Sequence, residues 1–177
     1  MSGSVQRPTL LSSCALAATA AEAKFRVQYP NSKLRKSRIF ALDQKAAEAM
    51  YEITEAPWNG AHFLTVTGDK HIDPETTGVD DLTLSTPDGI PVKLSDELDQ
   101  ANVVVLLSSK DTNAGAAEVI AREAYYRKIM SVGLALGAGA SDDTINSVVN
   151  AMRPFTSVLV VASDNDYIPA MLTALRA

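Results

Sequence analysis

Between Asn102 and Ser108, in NVVVLLS, the five residues VVVLL carry no polar side chain, so neither face of this segment reads as solvated. A continuous Val/Leu run of this length is the pattern of a strand covered on both faces, which requires helices above and below a parallel sheet. The neighbouring segments agree. SSKDTNAG (108–115) leads into a helical pattern, AGAAEVIAREAYYRKI (114–129), followed by the strand MSVGLAL (130–136). Next come the helix SDDTINSVVNAMR (141–153), stopped by Pro154, the strand SVLVVAS (157–163) and a last helix within NDYIPAMLTALRA (165–177). Strands that alternate with helices predict right-handed crossovers and a three-layer, Rossmann-like α/β fold with a mostly parallel sheet.

Upstream, SRIFAL (37–42) reads as a strand, QKAAEAMYEITEA (44–56) as a helix ended by Pro57, and AHFLTVT (61–67) as a second strand. Between residues 82 and 94 two short β segments flank Pro87-Asp88-Gly89. Proline presets φ and glycine accepts positive φ, so this piece is predicted as a β-hairpin insertion. SDELDQ (95–100) is predicted as a short helix with Ser95 as its N-cap. Residues 1–30 contain a helical stripe of Leu11, Cys14, Ala15, Ala18 and Phe25, read as a helix packing on the core of one domain that spans 1–177. An A-x-A step at Ala21–Ala23 resembles the end of a secretory signal, but the single Arg before it and the serines within it favour the helix.

The chain has 16 Lys and Arg against 21 Asp and Glu, a net charge of −5, which gives no general attraction to nucleic acid. Lys33, Arg35, Lys36 and Arg38 form one local basic cluster, read as a solvated lead-in to the first strand. No window approaches the roughly 20 apolar residues of a membrane span. Cys14 is the single cysteine, which excludes an intrachain disulfide and points to a reducing, cytoplasmic setting. His62 and His71 are too few and too far apart for a zinc helix, and no metal is assigned.

In open parallel sheets ligands bind beyond the carboxyl ends of the strands. That rule nominates the residues after each strand: Asp43 and Gln44, then Thr67, Gly68 and Asp69, then SSKDTNAG, GAGASDD and SDND. The candidate ligand-binding set is Ser108, Ser109, Asp111, Thr112, Asn113, Gly115, Gly137, Gly139, Ser141 and Asp164. Neither GxGxxG nor GxxxxGK[ST] occurs, so a phosphate cradle is not written in the glycines. Asp69, Asp111, Asp142, Asp143, Asp164 and Asp166 also map to strand ends, where carboxylates suit Mg²⁺, although helix capping asks for the same residues.

GAAEVIAREAYYRKIMSVGLAL and TSVLVVASDND resemble, in pattern and order, the segment of the FtsZ/tubulin GTPases that runs from the end of the phosphate loop through a helix and two strands, here about residues 112–166. The resemblance implies a nucleotide-domain topology and a binding role for Thr112, Asn113 and Gly115. Where that family has GGGTGTG this chain has SKDTNAG, and strand one ends in LDQK instead of a glycine-rich loop. The resemblance therefore does not extend to GTP hydrolysis or filament assembly.

Three functions follow from these readings. The first is a small protein binding an anionic small molecule or nucleotide at the carboxyl end of the sheet, without GTPase activity. The second is a non-catalytic homo-oligomeric scaffold with a vacant cleft, self-associating through the Ala-rich helix faces at 12–23, 44–49 and 114–121. The third is a small enzyme using the acidic rim with Mg²⁺.

Overall fold

The computed structural model describes residues 35–58, 60–68, 72–110, 112–136, 146–162, 165 and 167–177. The predicted helix within residues 1–30 lies outside them, as does any account of how that segment meets the rest. The described elements are β1 (Ser37–Ala41), α1 (Gln44–Tyr51), β2 (His62–Val66), a 3-10 turn (Val79–Asp81), β3 (Leu84–Ser85), β4 (Pro91–Val92), α2 (Leu94–Asp99), β5 (Val103–Ser108), α3 (Ala114–Tyr126), β6 (Met130–Leu136), α4 (Asn146–Met152), β7 (Val158–Ala162) and α5 (Tyr167–Leu175).

All seven strands join one sheet in the order β4-β3-β2-β1-β5-β6-β7. The pairs β1/β2, β1/β5, β5/β6 and β6/β7 are parallel, whereas β3 and β4 form the predicted hairpin and add antiparallel to β2. Gly89 takes the positive φ, 78°, that the hairpin turn requires. β5 is central and its six residues are buried, as its uniform apolar sequence predicts. Ile39, Ala41, Val103, Val105 and Leu107 face α1 and α5, while Phe40, Leu42, Val104 and Leu106 face α2, α3 and α4. The period-2 alternation of strand side chains produces these two cores, giving the α/β/α layering.

Several element ends differ from the sequence reading for local reasons. α1 stops at Tyr51, and residues up to Ala56 continue in tighter turns such as Thr54 N–H to the Tyr51 carbonyl. Trp58 plugs this end, its Nε1–H donating to the Ile53 carbonyl at 2.7 Å. α3 ends at Tyr126 because Lys128 adopts left-handed φ, 57°, and a Schellman pair closes the helix: Ile129 N–H to Ala124 O and Lys128 N–H to Tyr125 O. Ser95 is not the N-cap of α2; that position is Lys93, without a side-chain bond. Ser95 sits in the first turn, and its N–H donates to Asp80 Oδ1 at 3.1 Å.

The basic lead-in is not uniformly solvated. Lys36 is exposed, but Arg35 is half-buried with Nη1 on the Met130 sulfur at 3.3 Å. Arg38 lies on the α2 face of central β1, its side chain only 3% exposed, with Nε 2.5 Å from Glu97 Oε2 on α2. The Nε–H has no aligned acceptor, so this approach is charge against charge, while Nη1 donates to the Ser37 and Gly60 carbonyls. His62 Nδ1 reaches the same Glu97 oxygen at 3.0 Å from a side chain that is 53% exposed. The arrangement neutralises a cation that the central strand would otherwise bury alone.

Two predictions follow. Glu97→Ala strands the Arg38 charge and is expected to cost about 3 kcal/mol of unfolding free energy in urea, whereas His62→Ala, losing an exposed partner, costs well under half of that. The Asp80 carboxyl is held below its ordinary value by hydrogen bonds from the Ser95 side chain and backbone. Its stabilisation is therefore complete above the unfolded carboxylate range and is lost as pH falls through the folded value. Asp80→Asn should lower the neutral plateau and flatten the acid limb of stability against pH, so that variant and parent converge at low pH.

Candidate functional site

The order β2-β1-β5-β6-β7 reverses direction at β1. The chain leaves β1 through α1 on one face to reach β2, then crosses on the other face to β5, β6 and β7. Such a reversal opens a crevice between the carboxyl ends of the two strands flanking the switch, here β1 and β5.

The crevice is closed by a carboxylate. Asp43 follows β1, is 6% exposed, and caps α1 by accepting from Ala46 N–H at 2.9 Å on Oδ1. Its Oδ2 accepts from Ser109 N–H at 2.7 Å and Lys110 N–H at 3.2 Å, and the Ser109 hydroxyl donates to Oδ1 at 2.5 Å. Ser108 Oγ lies 3.4 Å from Oδ2, but its single proton has a nearer acceptor in the Lys110 carbonyl at 2.7 Å. Four donors thus hold the carboxylate. Leu42 N–H donates to Leu107 O at 2.9 Å, and the Asn113 side-chain amide donates to Leu42 O at 2.5 Å. Together these bonds fasten the β1–α1 turn to the β5–α3 turn. Among the described residues no cation pairs with Asp43; backbone and hydroxyl dipoles carry its charge.

The nominated residues are used as follows. Ser108 is buried on Lys110 O, and Ser109 gives both its N–H and its hydroxyl to Asp43. Asn113 is the residue before α3 in left-handed conformation, φ 63°, but its side chain caps nothing and serves Leu42. Gly115 is required by packing: a Cβ there would stand 1.9 Å from the Ile72 carbonyl oxygen. A side chain at position 115 therefore tests the fold and not a ligand. Thr112 is exposed. Asp111, Gly137, Gly139, Ser141 and Asp164 lie outside the described residues, as do Asp69, Asp142, Asp143 and Asp166 of the acidic rim. Among the described residues no group of three metal-ligating side chains forms, and no helix is long and apolar enough to cross a membrane.

Two exposed cations flank the closed crevice, Lys45 in the first turn of α1 and Lys110 beside the clasp. Lys45 carries no sequence signal, since a lysine near the start of a helix looks like any solvated residue. Asp43 was legible as a strand-end residue; its partners, 66 positions away for Ser109, were not.

No family model matches this chain, and no curated protein does. Among solved structures, the chain is similar to the 1.40 Å crystal structure of a "putative flavoprotein" from Bacteroides eggerthii DSM 20697, with a TM-score of 0.49 and 12% identity over 81% of this chain and 99% of that one. No ligand is carried over from that protein on this likeness.

Removing the Asp43 carboxylate should leave the amides of Ser109, Lys110 and Ala46 without their acceptor. Asp43→Ala is expected to lose about 3 kcal/mol, combining a helix cap with hydrogen bonds to a charged group. Millimolar formate or acetate should restore part of that loss in a saturable way; chloride at equal ionic strength should not.

Proposed function

We propose that the protein binds an anionic small molecule, with nucleotides the first class to test, over the carboxyl end of its sheet at the β1/β5 switch. The carrying observation is the reversal of strand order at β1, which sets the crevice where α/β sheets take ligands. Because Asp43 occupies the amides of the 108–110 turn, the ligand's charge is met by side chains, namely Lys45 and Lys110, with the Thr112 hydroxyl and Gln44 amide on the same rim. This modifies the simplest form of the reading, in which SSKDTNAG itself cradles a phosphate. Binding proceeds without nucleotide hydrolysis, since the sequence supplies neither a glycine-rich phosphate loop nor its lysine.

The test is a thermal-shift panel of nucleotides, nicotinamides, flavins and sugar phosphates on the full chain. A true ligand at about 100 times its Kd adds about 2.7 kcal/mol of stability. The paired substitution Lys45→Gln with Lys110→Gln should weaken that ligand about tenfold, the worth of two screened contacts. A panel that shifts nothing, or a shift indifferent to both lysines, would reject the reading.

A further inference from the structure

Part of the connection between β2 and β3 runs across α3 as a strap. The Ile72 carbonyl oxygen meets Gly115 so closely that a Cβ there would stand 1.9 Å from it, and Arg122 Nη2 donates to the Pro74 carbonyl at 2.8 Å. Gly115, Glu118 and Arg122 are spaced i, i+3 and i+7, so they form one stripe along the helix, and the strap lies over that stripe. Residues 115 and 122 are about 10 Å apart along the axis, whereas Ile72 and Pro74 span at most about 7 Å. The Arg122 side chain makes up the difference by reaching back toward the amino end of the helix, as helical side chains do, and this carries its guanidinium over the turn of Glu118.

The strap is weakly held and internally complete. None of residues 72–78 is buried, and among the described residues the Arg122 bond is the one side-chain hydrogen bond that joins them to α3. Within the strap, Thr76 and Thr77 N–H donate to the Asp73 carbonyl at 3.2 and 2.9 Å, and Glu75 N–H donates to Asp73 Oδ1 at 3.0 Å. Its downstream end is anchored: Gly78 N–H donates to Asp81 Oδ2 at 2.8 Å, Val79 packs on the core, and Asp80 accepts from Ser95. A segment with its own turn, no buried residue and a single polar tie has the construction of a local opening unit.

The tie also has a second partner within reach. Among the described residues neither Arg122 nor Glu118 takes part in an ion pair, although a glutamate four residues ahead of an arginine is the favourable order on a helix. We propose that residues 72–78 form a lid on α3 with two states. In the closed state Arg122 holds the Pro74 carbonyl; in the open state Arg122 pairs with Glu118, and the strap swings as a unit on its anchored 79–81 end. Opening uncovers the first turn of α3, which follows Thr112 in the chain. The inference holds whether or not a ligand occupies the rim described above.

The experiment is cleavage of the full chain at Glu75 by a glutamate-specific protease under native conditions, because cleavage of a transiently opened segment tracks the population of its open form. Arg122→Ala removes the latch and should raise the rate at least about tenfold, the worth of a hydrogen bond to a charged group, with the urea midpoint little changed. Glu118→Gln removes the open-state partner and should slow cleavage about twofold, the worth of one i,i+4 pair; a purely structural tether would not respond. Should Arg122→Ala fail to fold, Gly115→Ala, whose new Cβ collides with the Ile72 carbonyl, is expected to raise the rate in its place. Cleavage that is indifferent to the latch, that rises only in step with lost global stability, or that Glu118→Gln does not slow, overturns the proposal.

Discussion

A buried carboxylate requires donors for both oxygens, and Asp43 finds three of its four, two amides and a hydroxyl, in a turn that begins 66 residues away. The carboxyl end of the sheet depends on that requirement. Parallel strands β1 and β5 are adjacent and fully buried, so the turns leaving them must diverge to opposite faces while their first residues stay in contact. The amides released at the end of β5 have no ladder partner, and an unpaired buried amide costs as much as a lost hydrogen bond. Asp43 satisfies two of them and the first turn of α1 with one side chain, while Asn113 secures the Leu42 carbonyl in the other direction. The same contacts set the start of α1 and hold the crevice shut.

The opposite end of the sheet solves a comparable problem with opposite charge. Arg38 enters the core because its position on β1 alternates with Ile39, and Glu97 on α2 arrives to meet it. At one end an anion is held by dipoles, and at the other a cation is held by an anion. The first arrangement needs only backbone close at hand; the second recruits a side chain from another element and leaves His62 at its exposed margin. Neither cluster combines an unpaired reactive group with a pocket, which is why the described chemistry of both is structural.

How far these features were legible depends on the range of the interaction that creates them. The layers, the parallel run and the hairpin were visible because they rest on periodicity and on Pro87 and Gly89, local signals all. Ser95 looked like a helix cap because a serine before an acidic helical stretch usually is one; the strap to Asp80 depends on a 3-10 turn 15 residues upstream. Arg38 looked solvated within KLRKSR because charge runs usually are, and only the place of β1 inside the sheet shows that each of its residues faces one core or the other. Gly115 resembled a phosphate-loop glycine, but its missing Cβ admits the Ile72 carbonyl. The alanine faces at 44–49 and 114–121 signalled close packing, and the structure sets Ala46, Ala47, Ala49, Ala116, Ala117 and Ala121 in the two cores, since a small-residue face suits a sheet as well as a second helix.

The clasp also limits what kind of ligand the crevice can hold. In a phosphate-binding loop the backbone amides are left over after folding, so their full electrostatic worth is available to the ligand. Here the amides of Ser109 and Lys110 are already bonded to a full negative charge fixed by covalent connection, which no dissolved anion at ordinary concentration displaces cheaply. A ligand over this end therefore gains charge stabilisation only from mobile, solvated ammonium groups, and exposed pairs of that type contribute at most about 1 kcal/mol each. Tight binding then has to come from shape and apolar contact with the base or ring of the ligand, not from its phosphate. By this physics a nucleotide would be distinguished by its heterocycle, and inorganic phosphate alone would bind weakly at the same rim.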